Sequence, residues 1–83
     1  MPRLRFIGRL REILGSELEL EASSPITLSQ ILEKLPQEAR RLILAEDGRL
    51  RVIVLVNEKP AQGLSQVIKP SDVVRFVPIV SGG

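Results

Sequence analysis

The chain has 83 residues, 43% apolar and 27% charged, which is the composition of one small folded domain. At this length folding hides only roughly 60% of the unfolded surface, so the core must be small. Cysteine and histidine are both absent, which excludes disulfides, thiolate metal sites, a cysteine nucleophile and the usual general base. R-L-R-F-I (3–7) alternates with period two and predicts a strand, with Leu4 and Phe6 on one face and Arg3, Arg5 and Ile7 on the other. R-L-R-E-I-L-G (9–15) places Leu10, Ile13 and Leu14 at helical spacing, and Gly15 can close the turn. A second strand follows, where Glu17, Glu19 and Glu21 alternate with Leu18, Leu20 and Ala22.

The best helix lies within S-S-P-I-T-L-S-Q-I-L-E-K-L-P (23–36). Thr27 and Gln30 have capping-box spacing, and Leu28, Ile31, Leu32 and Leu35 form one stripe that runs up to Pro36. A second short helix is expected over 37–45. E-D-G-R (46–49) reads as a turn with Gly48 at positive φ. R-V-I-V-L-V-N (51–57) lacks polar alternation and reads as a strand buried on both faces or central in a sheet. A short edge segment near Ala61, a turn at K-P-S-D (69–72) and a last strand at V-V-R-F-V (73–77) complete the pattern. This order fits an α+β class: a β-grasp, ubiquitin-like roll with a mixed sheet of four to five strands, one main helix and short helices. The first and last strands lie side by side at its centre. Residues 1–77 form the domain and 78–83 a flexible Gly-Gly tail.

The charge pattern excludes other classes. Twelve Lys/Arg against ten Asp/Glu leave a net charge of +2, with basic and acidic residues interleaved. No Trp or Tyr is present to stack on bases, so nucleic acid is not the expected partner. The longest apolar runs are about five residues against roughly 20 for a spanning helix, so no membrane is expected either. The N-terminus M-P-R-L-R lacks the apolar stretch of a signal peptide, which points to the cytoplasm. No metal ligands stand out.

The ending F-V-P-I-V-S-G-G (76–83) is unusual, because an apolar strand runs straight into two glycines. Without a Cβ, Gly82 and Gly83 make a thin thread that can enter a narrow channel and present a terminal carboxylate to ATP. At average glycine usage a chance Gly-Gly end has a probability of about 0.5%, so the ending alone leaves both readings open. If Val74 and Phe76 point inward, then Val73, Arg75, Val77 and Ile79 point outward. Of these, Val77 and Ile79 beside Ile7 would form an exposed apolar patch rimmed by Arg3, Arg5 and Arg75, suited to docking. The alternative is that the loop 59–68 covers it.

Three stretches resemble a known family: F-I-G-R-L-R-E-I-L-G (6–15), L-A-E-D-G-R-L (44–50) with its strand into V-N (56–57), and I-K-P-S-D-V-V-R-F-V-P-I-V-S-G-G (68–83). Together they are similar to the MoaD/ThiS sulfur carriers, and most to the MoaD type, the small subunit of molybdopterin synthase. The usual MoaD ending has two adjacent prolines, and Ile79 stands here at the second. The resemblance implies that a ubiquitin-activating-type, MoeB-like adenylyltransferase activates the carboxylate of Gly83 with ATP and magnesium. A sulfur donor then makes a thiocarboxylate, and a MoaE-like large subunit uses that sulfur to build the dithiolene of molybdopterin. It implies that the carrier itself binds no cofactor and is not catalytic alone. Gly83 would carry the sulfur. Gly82, Ser81, Val80 and Pro78 would thread the channel, and Ile7, Val77 and Ile79 would touch the partner. Arg11 matches an arginine of the family's R-E pattern, though it equally reads as a solvated helix residue near Glu12.

Two alternatives remain at this level. A Gly-Gly carrier can serve thiamin synthesis or tRNA thiolation, or can be conjugated to lysines as a modifier, because the partner chooses the recipient. A plain binding module with an incidental Gly-Gly end is the other class.

Overall fold

The computed structural model describes residues 1–79. In chain order the elements are β1 (Arg3–Phe6), α1 (Arg9–Leu14), β2 (Glu17–Glu19), β3 (Ile26–Thr27), α2 (Leu28–Glu33) and α3 (Gln37–Ile43). Then come β4 (Val52–Val56), β5 (Lys59–Pro60), β6 (Val67–Ile68) and β7 (Val73–Pro78). Five strands make a mixed sheet in the order β2-β1-β7-β4-β5, and β3 pairs with β6 separately. This is the ubiquitin-like β-grasp roll expected from the pattern. β1 and β7 are adjacent and parallel, with Leu4 opposite Val74 and Phe6 opposite Phe76.

The alternating pattern of β1 and β7 explains the core. Leu4, Val74 and Phe76 are fully buried, and Phe6 nearly so. The Phe6 and Phe76 rings stack with centroids 5.3 Å apart, which ties the two central strands together. Onto this face pack Leu28, Ile31, Leu32 and Leu35 from the α2 stripe, with Ala39 and Ile43 from α3. Both halves of the capping box form: Thr27 Oγ1 accepts from the Gln30 N–H at 3.2 Å, and Gln30 Oε1 accepts from the Thr27 N–H at 2.9 Å.

The structure departs from the sequence reading in three places. The helix 28–35 stops at Glu33, because Lys34 and Leu35 donate to the carbonyls of Ile31 and Leu32 in a tightened last turn. Pro36 then disfavours a helical Leu35 and opens α3 instead. The acidic strand pairs only over Glu17–Glu19, although Leu20 remains buried. The third departure is in the strands: the β3–β6 pair lies outside the expected elements, and β7 extends through Pro78, which the pattern assigns to the tail. Of the two readings of 51–57 the central one holds: β4 lies between β7 and β5, inside the sheet, and is not buried on both faces, since Ile53 is 44% exposed. The helices cover only one side of the sheet, so an apolar run here does not mean two dry faces.

Candidate functional site

The site is built around the end of β7, where Pro78 and Ile79 lead out of the sheet. Antiparallel pairing sets Ile53 of β4 opposite Val77 of β7. On the other side the parallel register ends with Phe6 opposite Phe76, so the next residues, Ile7 and Val77, continue the outward row. Ile7 is 44% exposed, Ile79 58%, and Val77 half-buried. The loop 59–68 therefore leaves this patch open. Ile53 joins it, which sequence reasoning missed; the available signal was its odd-numbered place in 51–57, in phase with the outward face.

The rim arginines are not equivalent. The guanidinium of Arg75 contacts both carboxylate oxygens of Glu58, at 2.8 and 2.9 Å, and Arg3 pairs with Glu19 at 3.4 Å. Among the described residues Arg5 and Arg11 have no ion pair. Both border a concavity with Ser16 and Arg75, and Arg11 is exposed.

Gly8 makes the geometry possible. It caps α1 with φ 68° and ψ −137°, a conformation that side chains resist, and its carbonyl accepts from the Arg11 and Glu12 N–H groups. A Cβ there would stand 3.8 Å from Pro78 Cγ, so β1 turns into α1 directly beside the exit of β7.

On the helical side of the exit lies a groove of about 200 Å³. Leu10, Leu42 and Val52 form its inner wall, Ile7, Pro78 and Ile79 its outer edge, and Arg9 and Arg51 add charge. Neither arginine was singled out from the sequence, where each reads as an ordinary polar residue at the start of an element.

Other residues that carry the family likeness build the opposite end. Asn57 and Glu58 form the β4–β5 turn, both at positive φ. Asp72 Oδ1 accepts from Asn57 Nδ2 at 2.8 Å, and Asp72 Oδ2 accepts from the Lys69 N–H at 2.8 Å. Asn57 Oδ1 in turn accepts from the Val73 N–H at 3.0 Å. Asn57 and Asp72 thus start β7 in register.

Val80, Ser81, Gly82 and Gly83 lie outside the described residues. Among the described residues no group of His, Cys, Asp or Glu could hold a metal ion, and no helix is long and apolar enough to cross a membrane.

The last central strand of this β-grasp domain leaves the sheet between an open apolar face and a groove. The ThiS family model matches residues 4–83, and the chain belongs to that family of small sulfur carriers. No curated protein matches the chain. Among solved structures, SAMP1 from Haloferax volcanii superposes with a TM-score of 0.76 at 25% identity, covering 99% of this chain and 98% of that one. A chain of the Amycolatopsis orientalis BexX/CysO complex gives 0.73 at 20% identity, with both chains covered at 100%. A chain of the complex of subunits 1 and 2 of molybdopterin-converting factor from Helicobacter pylori 26695 gives 0.62 at 22%, covering 99% and 97%. The latter two similarities bear on fold alone.

Proposed function

We propose that this chain is the small, sulfur-carrying subunit of a molybdopterin synthase. The observation that carries the reading is the exit of β7: Ile7, Ile53, Val77 and Ile79 offer an open apolar face where the sequence runs on into V-S-G-G. A protein that draws in the tail through a channel must press against this face, and an apolar centre with a charged rim suits that contact.

The chemistry needs no side chain of the carrier. The Gly83 carboxylate attacks the α-phosphate of ATP on a MoeB-like adenylyltransferase, pyrophosphate leaves, and an acyl-adenylate forms. Sulfur at the hydrosulfide level from a donor displaces AMP and leaves a thiocarboxylate. Gly82 keeps the thread narrow, while Ser81, Val80 and Pro78 direct it. The thiocarboxylate then gives its sulfur to the dithiolene precursor on a MoaE-like large subunit.

A second reading is favoured by the similarity to SAMP1, at 25% identity over nearly the whole chain. In it the same adenylate acylates lysine amines, and the chain modifies proteins.

Intact mass spectrometry tests both. Incubated with its adenylyltransferase, ATP and a sulfur donor, the chain should gain the mass difference between sulfur and oxygen, and a chain lacking Gly83 should gain nothing. Dithiolene formation with the large subunit supports the synthase; lysine conjugates without it support the modifier. Sulfur gain by the truncated chain would refute the role of Gly83.

A further inference from the structure

The sheet-face patch accounts for one side of the tail root. The groove on the other side has no role in that reading, and its chemistry is specific. Leu10 and Val52 in its wall are buried apolar residues, while Ile79 at its edge is exposed. Among the described residues the only charged groups lining it are Arg9 and Arg51, and no carboxylate of those residues lies within ion-pair distance of either. Arg51 Nη1 donates to the Arg41 carbonyl at 3.1 Å, near the end of α3, which holds the guanidinium in place. Arg9 opens α1, where a cation opposes the helix dipole, so its charge does not serve the helix.

We infer that the groove receives a segment of the large subunit, continuous with its contact on the sheet-face patch, with an apolar side chain seated on Leu10, Leu42 and Val52 and flanking carboxylates on Arg9 and Arg51. The inference rests on the carrier reading. At about 200 Å³ the groove is smaller than the roughly 300 Å³ at which small-molecule sites begin, so it suits one inserted side chain better than a free ligand. Its apolar wall does not suit a sugar-phosphate backbone. Two cations without an ion pair among the described residues, beside an apolar slot, complement an acidic segment, and the charges would steer its approach. A partner closing over both the patch and the groove holds the tail root from two sides, which fixes where the thread enters.

The test uses the full chain with the adenylyltransferase and the large subunit of its own organism. Pyrophosphate release reports adenylation, and titration calorimetry gives Kd for the large subunit, at low and high salt. Arg9→Glu should raise Kd about tenfold at low salt, and the effect should shrink as salt screens the pair. Arg9→Lys should restore most of the affinity. Glutamate suits the start of α1 better than arginine, so the variant's thermal midpoint should not fall. If the wild-type chain is adenylated and Arg9→Glu leaves Kd unchanged, the groove proposal is overturned while the carrier reading stands. If the wild-type chain is not adenylated, both fall.

Discussion

Asp72 lies inside the stretch that most resembles the sulfur carriers, yet its surroundings make it a stability residue. Replacing it with alanine removes an acceptor of two hydrogen bonds, from Asn57 Nδ2 and from the Lys69 N–H, each 2.8 Å long. Hydrogen bonds to a charged acceptor contribute about 1.5–3 kcal/mol each. Asn57 is exposed and can turn to water, so the sum is discounted to about 2–3 kcal/mol. A domain of this size has a total stability of about 4–12 kcal/mol, so the loss is substantial without unfolding the protein. With a urea slope near 1–1.5 kcal/mol/M, the midpoint of denaturation should fall by about 2 M. Asp72→Asn keeps an acceptor for Lys69 but sets its own amide against that of Asn57, and should lose about half as much. β7 is six residues long, so Asp72 stands about 20 Å from the exit. Adenylation of the folded variant at 25 °C should therefore be unimpaired. A stability change below about 0.5 kcal/mol, the range of neutral surface substitutions, would refute the network's role.

Val77→Asp and Ile53→Asp place a charge in the centre of the open face. Each should weaken large-subunit binding at least tenfold by calorimetry, with a stability loss within about 1 kcal/mol, the span of strand preferences; equal losses of both would mean the positions serve the core. Gly8→Ala should cost about 1–3 kcal/mol in urea denaturation from backbone strain alone, since the added methyl meets nothing closer than 3.8 Å. A neutral Gly8→Ala would show that the positive φ is not required.

Much of the architecture was legible because burial and period coincide. The alternation in 3–7 and 73–77, and the stripe of Leu28, Ile31, Leu32 and Leu35, each describe an element with one dry face, and each packs that face inward. Local rules sufficed at Thr27–Gln30 and at Gly48, where the partners are three residues apart or the constraint is one backbone angle. The run 51–57 left two readings open because a central strand with one covered face and one open apolar face carries the same composition as a strand buried twice.

The order of elements, the inward and outward faces of the central strands, and the glycine ending are written in the residues themselves, since they depend on neighbours a few positions away. The groove, the placement of Ile53 beside Val77, and the division of the arginines into paired and unpaired were decided only in three dimensions. Arg9 and Arg51 lie forty-two positions apart in the chain, as their numbers give, and only the folded packing of α1 and β4 against the exit of β7 brings them to one groove. Which cation meets a carboxylate depends on register and side-chain reach across strands, and no local pattern encodes that.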